Sequence, residues 1–151
     1  MSHADALHRY RSGAAAVTDA LSGITEAELD RPGPGGGWTP RMVVHHLADS
    51  ETTAYIRLRR LITEDAPLLA NYDEELYARR LHYDRPIAGS LALLDTVRIA
   101  SLELLEVLSP DEWARTGTHS ESGAYSVETW LRIYGDHPRE HAAQIRAARG
   151  A

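Results

Sequence analysis

The chain has 151 residues, a formal net charge of −6 and no cysteine. That length suits one domain with a real core, and the missing thiols exclude disulfides and thiolate ligands, leaving only nitrogen and oxygen to bind a metal. The acidic balance argues against a nucleic-acid partner, whose phosphates require a basic face.

No apolar run approaches the ~20 residues that span a bilayer. The opening MSHADALHRYRSG lacks the apolar stretch of a secretory signal. The expected setting is the cytoplasm, with a small-molecule substrate and neither a membrane nor a nucleic-acid partner. All sixteen basic residues are arginine, a bias of composition that carries no mechanism.

In chain order, the first predicted helix runs from His3 to Ser22, with Leu7, Tyr10, Ala14, Val17 and Leu21 at the 3-4 spacing of a single apolar stripe. RPGPGGG (31–37) is a breaker cluster and is predicted as loop. Helix two starts at Thr39, a good N-cap, followed by Pro40, whose missing N–H costs nothing at the first helical position. It continues to Thr63. Residues 64–86 read as a long connection containing a short helix from Glu74 to Leu81. Helix three spans Ile87 to Leu108, and helix four spans Ser126 to Arg149 with Gly150 as its stop. Little alternates with period two, so the expected fold is all-α, a four-helix bundle in one domain over 1–151.

Helical angles select the candidate site. On helix four, Trp130, Tyr134, His137, His141, Ile145 and Ala148 share one narrow stripe, so both histidines point into the bundle. Unpaired buried imidazoles are costly, and an (i, i+4) pair can present two of them to one metal ion. The competing reading makes them hydrogen-bonded core or rim histidines. On helix two the apolar stripe is Val43, Leu47, Ala54, Leu58 and Leu61. His45 points away from it and is expected to be solvated. His46 lies on its margin, and Ser50, Thr53 and Arg57 continue that line, which makes His46 the better third ligand.

Helix three places Arg98 in the middle of its core face, where a guanidinium needs an acid, a carbonyl or a bound anion. Arg98 therefore either pairs with Asp49 or another acid, or orients an anionic substrate, and Arg57 poses the same choice. Asp49, one turn from His46, and Gln144, one turn from His141, are candidates to fix imidazole tautomers. His119, in the loop before helix four, is a candidate fourth ligand or proton shuttle. HPREH (137–141) also matches H-x-x-E-H, the inverted zinc-peptidase pattern with the glutamate as base, although the chain is short for such an enzyme. Helix four carries one anomaly, Pro138 beside His137, for which a kink or π-type bulge that re-aims His137 is the expected consequence.

GGWTPRMVVHHLADSETTAYIRLRRLI and THSESGAYSVETWLRIYGDHPREHAAQI together resemble the DinB-like superfamily and, within it, the YfiT-type proteins. The shared pieces are the W-[ST] helix start, the H-L-x-D-S-E segment, the H-x-x-x-G loop and the closing H-x-x-x-H-x-x-Q-I. The resemblance covers most of the chain. It implies a four-helix bundle holding one metal ion on three histidines, which fall on His46, His137 and His141. Pro138 departs from the family pattern. The resemblance also implies heterogeneous chemistry, either metal-dependent hydrolysis or S-transfer with a low-molecular-weight thiol such as bacillithiol or mycothiol. Zinc or nickel are the first candidates for the divalent ion, with iron or manganese also compatible. A bundle that binds metal without catalysis is the third reading. Apolar surface on helix one or three is compatible with a homodimer.

Overall fold

The computed structural model describes residues 2–150. In chain order its elements are α1 (His3–Arg11), α2 (Gly13–Leu21), α3 (Glu26–Leu29), α4 (Pro40–Thr63), β1 (Leu68–Leu69), α5 (Glu74–Arg80), α6 (Ala88–Leu105), α7 (Pro110–Trp113), β2 (Thr116–His119), β3 (Gly123–Ser126) and α8 (Val127–Arg149). The four-helix bundle is made by α1 with α2, by α4, by α6 and by α8. Helix starts follow their predicted chemistry. Thr39 Oγ1 accepts from the Met42 N–H with Pro40 at the first position, and Ser126 Oγ accepts from the Thr129 N–H.

Three expectations are corrected. The first helix is not continuous to Ser22 but breaks at Ser12. A buried arginine from α6 causes this: Arg98 Nη2 donates to the Tyr10 carbonyl, and a Cβ on Gly13 would lie 2.7 Å from that same nitrogen. Arg139 from α8 donates to Ser12 Oγ (2.6 Å) and covers the other side of the break. The third helix ends at Leu105, three residues early, where the exposed Val107 has nothing to pack against. A small sheet was also not foreseen. It has the order β1-β2-β3, with β1 parallel to β2 (Leu69 opposite His119) and β2 antiparallel to β3 (His119 opposite Gly123). Strands of two and four residues are too short to show an alternating pattern.

Packing decides which helices share a site. The principal neighbours of α8 are α2, α1 and α4, whereas α4 packs on α6 and α8. Around the bundle the order is therefore α1–α2, α8, α4, α6, which sets the helix carrying His46 beside the helix carrying His137 and His141.

The core divides into two apolar clusters. One holds Tyr10, Leu58, Leu61, Leu105, Trp130 and Tyr134, and the other holds Val17, Val43, Leu47, Leu94, Ala142 and Ile145. Each fully buried leucine contributes on the order of 1.5–3 kcal/mol. Along α4, α6 and α8, polar residues gather where the two clusters meet: His46, Ser50 and Glu51, then Arg98 and Ser101, then His137 and His141. This middle layer carries the chemistry.

Pro138 belongs to that layer's structural half. Helix α8 stays α-helical across it, so no π-type bulge forms. The proline is buried against α2, its Cγ 3.3 Å from the place a Cβ on Gly13 would occupy. Its missing N–H leaves the Tyr134 carbonyl without a helical donor, and Arg98 Nη1 fills that role at 3.0 Å. The proline thus makes a carbonyl available to a buried arginine. Pro138→Ala is accordingly expected to keep the full metal content of the parent by elemental analysis, because its ring faces α2. Loss of metal in that variant would restore the re-aiming role.

Candidate metal centre

His46 on α4 is almost fully buried, with its ring packed edge-on against Trp38. His137 and His141, one turn apart on α8, meet it across the helix interface. His137 Nε2 lies 3.3 Å from His46 Nε2 and 3.0 Å from His141 Nε2. Ligand nitrogens of all three lie within 4.8 Å of one another.

The residues fit a metal ion. His141 Nδ1 is 2.7 Å from Gln144 Oε1, a contact that holds the proton on Nδ1 and leaves a lone pair on Nε2. Burial, then the neighbouring His141, pushes both His46 and His137 down to about 3, and burial lowers His141 as well. All three rings are therefore neutral at pH 7 with nitrogen lone pairs converging. One proton can bridge only one pair of nitrogens, whereas a single cation satisfies all three. A tetrahedral ion with Zn–N bonds of 2.0–2.1 Å separates its nitrogens by about 3.4 Å, within a few tenths of an ångström of the two spacings seen. His137 Nδ1 is buried without a partner among the described residues.

His137 also lines a cavity of about 230 Å³, together with Ser50, Arg57, Tyr72, His119 and Tyr134. Ser50 and Arg57 are buried there, on the line predicted for them. His119 stands on this wall, outside the three-histidine group. Its Nδ1 accepts from the backbone N–H groups of Glu121 (3.3 Å) and Ser122 (3.4 Å), so its proton resides on Nε2. The hairpin of β2 and β3 fixes it in place.

Other candidates serve different ends. Asp49 does not support His46; its Oδ2 accepts from the Tyr83 hydroxyl at 2.6 Å. Arg98 does not face the cavity. It pairs with Glu51 Oε2 at 2.9 Å, with both side chains buried, and lies over the Tyr10 ring. Glu140 is exposed, which removes the peptidase reading of HPREH, since a general base must face the site.

His45 is not solvated. It is completely buried, with Nδ1 2.7 Å from Ser90 Oγ and Nε2 2.9 Å from the Arg85 carbonyl. The connection from α5 to α6 covers the face of α4 that was read as outward. His45→Ala leaves the Ser90 hydroxyl and the Arg85 carbonyl unpaired. The expected result is a loss of about 1–3 kcal/mol in urea denaturation with metal content intact.

Glu51, Tyr72 and Trp38 were not singled out from the sequence. Glu51 directly follows Ser50 in the quoted LADSE segment, and its place on the inner face of α4 was the available signal.

Comparison with known proteins agrees with this architecture. The family model of the DinB superfamily matches residues 9–145. The chain belongs to the DinB superfamily. A relative from Oceanobacillus iheyensis, named provisionally as a metal-dependent hydrolase, is 42% identical over 122 residues, covering 81% of this chain and 71% of the relative. One from Bacillus mycoides with the same provisional name is 35% identical, covering 86% and 75%. Among solved structures, YfiT from Bacillus subtilis superposes with a TM-score of 0.91 at 31% identity, covering 98% of this chain and 87% of YfiT. It is described with the same provisional activity and an unusual four-helix bundle topology. A mycothiol-dependent maleylpyruvate isomerase shares the fold at 19% identity, with a TM-score of 0.73, covering 97% of this chain and 62% of the isomerase. No helix among the described residues is long and apolar enough to cross a membrane.

Proposed function

We propose that the chain is a metal-dependent hydrolase of a small substrate, with one divalent ion held by Nε2 of His46, His137 and His141. One observation carries this reading: His137 belongs both to the nitrogen cluster and to the wall of the cavity. Three neutral imidazoles leave a coordination position open, the pattern of a catalytic site. When bound, the ion supplies Lewis acidity, polarising a carbonyl and bringing the acidity of water towards neutral pH.

The protein's own groups set the remainder. Gln144 holds the proton at His141 Nδ1 and keeps that ring aligned. His119, with its acceptor nitrogen occupied, has Nε2–H to offer an oxygen in the cavity. Trp38 and the apolar residues around His46 keep water from the back of the site. A volume of about 230 Å³ is below the ~300–1,000 Å³ of ordinary ligand pockets, which suits a small molecule or one end group of a larger one.

The test is a panel of small amides and esters assayed with and without a chelator, run beside a conjugation screen with low-molecular-weight thiols. Hydrolysis that stops on chelation and returns with added metal is the expected result. Metal-dependent thiol conjugation with no hydrolysis would replace this reading with the S-transferase one.

A further inference from the structure

Two arginines on inward faces were candidates to meet an anion, and the structure separates them. Arg98 is neutralised by Glu51. Arg57 is also buried, at 9% exposed, yet among the described residues it joins no ion pair. Its two hydrogen bonds go to neutral oxygens, Nη1 to the Tyr134 hydroxyl (3.1 Å) and Nη2 to the Ala70 carbonyl (2.7 Å). A guanidinium has five N–H donors, and the buried Nε–H of Arg57 has no partner among the described residues; Arg98 Nε shares that state, so the missing ion pair is what sets Arg57 apart. A second group stands on the same cavity wall: the Tyr72 hydroxyl is buried and lacks a well-formed hydrogen bond among the described residues, with the Ser50 side chain close by.

A buried cation with no ion-pair partner is costly unless something anionic completes it. Arg57, Tyr72 and His137 line one cavity. Tyr134, which receives the Arg57 hydrogen bond, has its ring 6.2 Å from that of His137. An anionic group on Arg57 therefore lies a few bonds from whatever group reaches the histidine cluster. A planar carboxylate matches the guanidinium fork, taking Nε–H together with a free Nη–H, with the Tyr72 hydroxyl as a further donor. Glu74 is the single acid on the wall; burial pushes its carboxyl up and Arg57 pulls it down by less, but the two are not in ion-pair contact.

We propose that Arg57 and Tyr72 form a carboxylate subsite, so that the substrate class is a small carboxylate-bearing amide or ester whose cleaved bond lies close to that carboxylate. This rests on the hydrolase reading for the word "cleaved"; the subsite itself does not.

The experiment is isothermal titration calorimetry on the full chain as purified, with metal measured in the same samples. The probes are N-acetylglycine, its neutral analogue N-acetylglycinamide, and inorganic phosphate. N-acetylglycine is expected to bind at least about 10-fold more tightly than the neutral amide, a factor of the size that one charged hydrogen bond supplies. Arg57→Met should weaken it by about 10- to 100-fold and Tyr72→Phe by about 10-fold. Neither substitution should change the metal content. Tyr72→Phe deletes a hydroxyl with no well-formed hydrogen bond among the described residues, so the fold should tolerate it and the test survives any instability of Arg57→Met. Equal binding of acid and amide, full affinity in Tyr72→Phe, or phosphate bound more tightly than N-acetylglycine would each overturn the proposal. A chain without metal would defeat the hydrolase reading while leaving the comparison between Arg57 variants to decide the subsite.

Discussion

Arg98→Met is expected to lower the free energy of unfolding by about 3–5 kcal/mol, read from urea denaturation with the slope unchanged. The cause is what remains behind. Glu51 is fully buried, and burial pushes its carboxyl up while Arg98 pulls it down. Without the arginine that carboxylate keeps only the Tyr10 hydroxyl, at 2.6 Å. The carbonyls of Tyr10 and Tyr134, one at the helix break and one freed by Pro138, lose their donors too. Against a usual total of roughly 5–15 kcal/mol, this is a large fraction. The double variant Arg98→Met with Glu51→Leu should recover most of the loss, because removing both charges of a buried pair is often neutral. A single variant as stable as the parent would show that Arg98 does not staple the bundle.

On the proposed three-histidine site, stripping the metal should cost a comparable amount. An ion that binds the folded chain alone stabilises it by about 4 kcal/mol when present at ~1,000 times its Kd. At roughly 2–4 °C per kcal/mol for a chain of this size, a chelator should lower Tm by about 10 °C. His46→Ala, His137→Ala and His141→Ala should each melt at the same temperature with and without chelator. Gln144→Ala should retain a response but need about 10- to 100-fold more free metal to reach it, since Gln144 only orients His141. A ligand variant that keeps the full chelator response would remove that histidine from the site.

The sequence was most informative where a residue's partner lies on its own helix. The 3.6 period put His137 and His141 on one face, the Thr39–Pro40 start fixed the register of α4, and the position of Gln144 one turn from His141 was readable as support. It was least informative where the partner comes from elsewhere in the chain. His45 was read as solvated because the cover over it comes from residues near Arg85 and Ser90, about forty positions away. Asp49 was assigned to His46 by proximity along the helix, whereas Tyr83 from the α5–α6 connection takes it. The two inward arginines looked alike on the wheel. Only the tertiary position of Glu51 shows that one is paired with an acid and the other is not. The break at Ser12 was hidden for the same reason, since the group that opens it belongs to α6.

The central claim is that three histidines converge to hold one ion, and elemental analysis of the untagged native protein tests it most directly. The account predicts about one divalent metal ion per chain in the parent, none in His137→Ala, and an unchanged content in His45→Ala. Full metal retained in His137→Ala would contradict it.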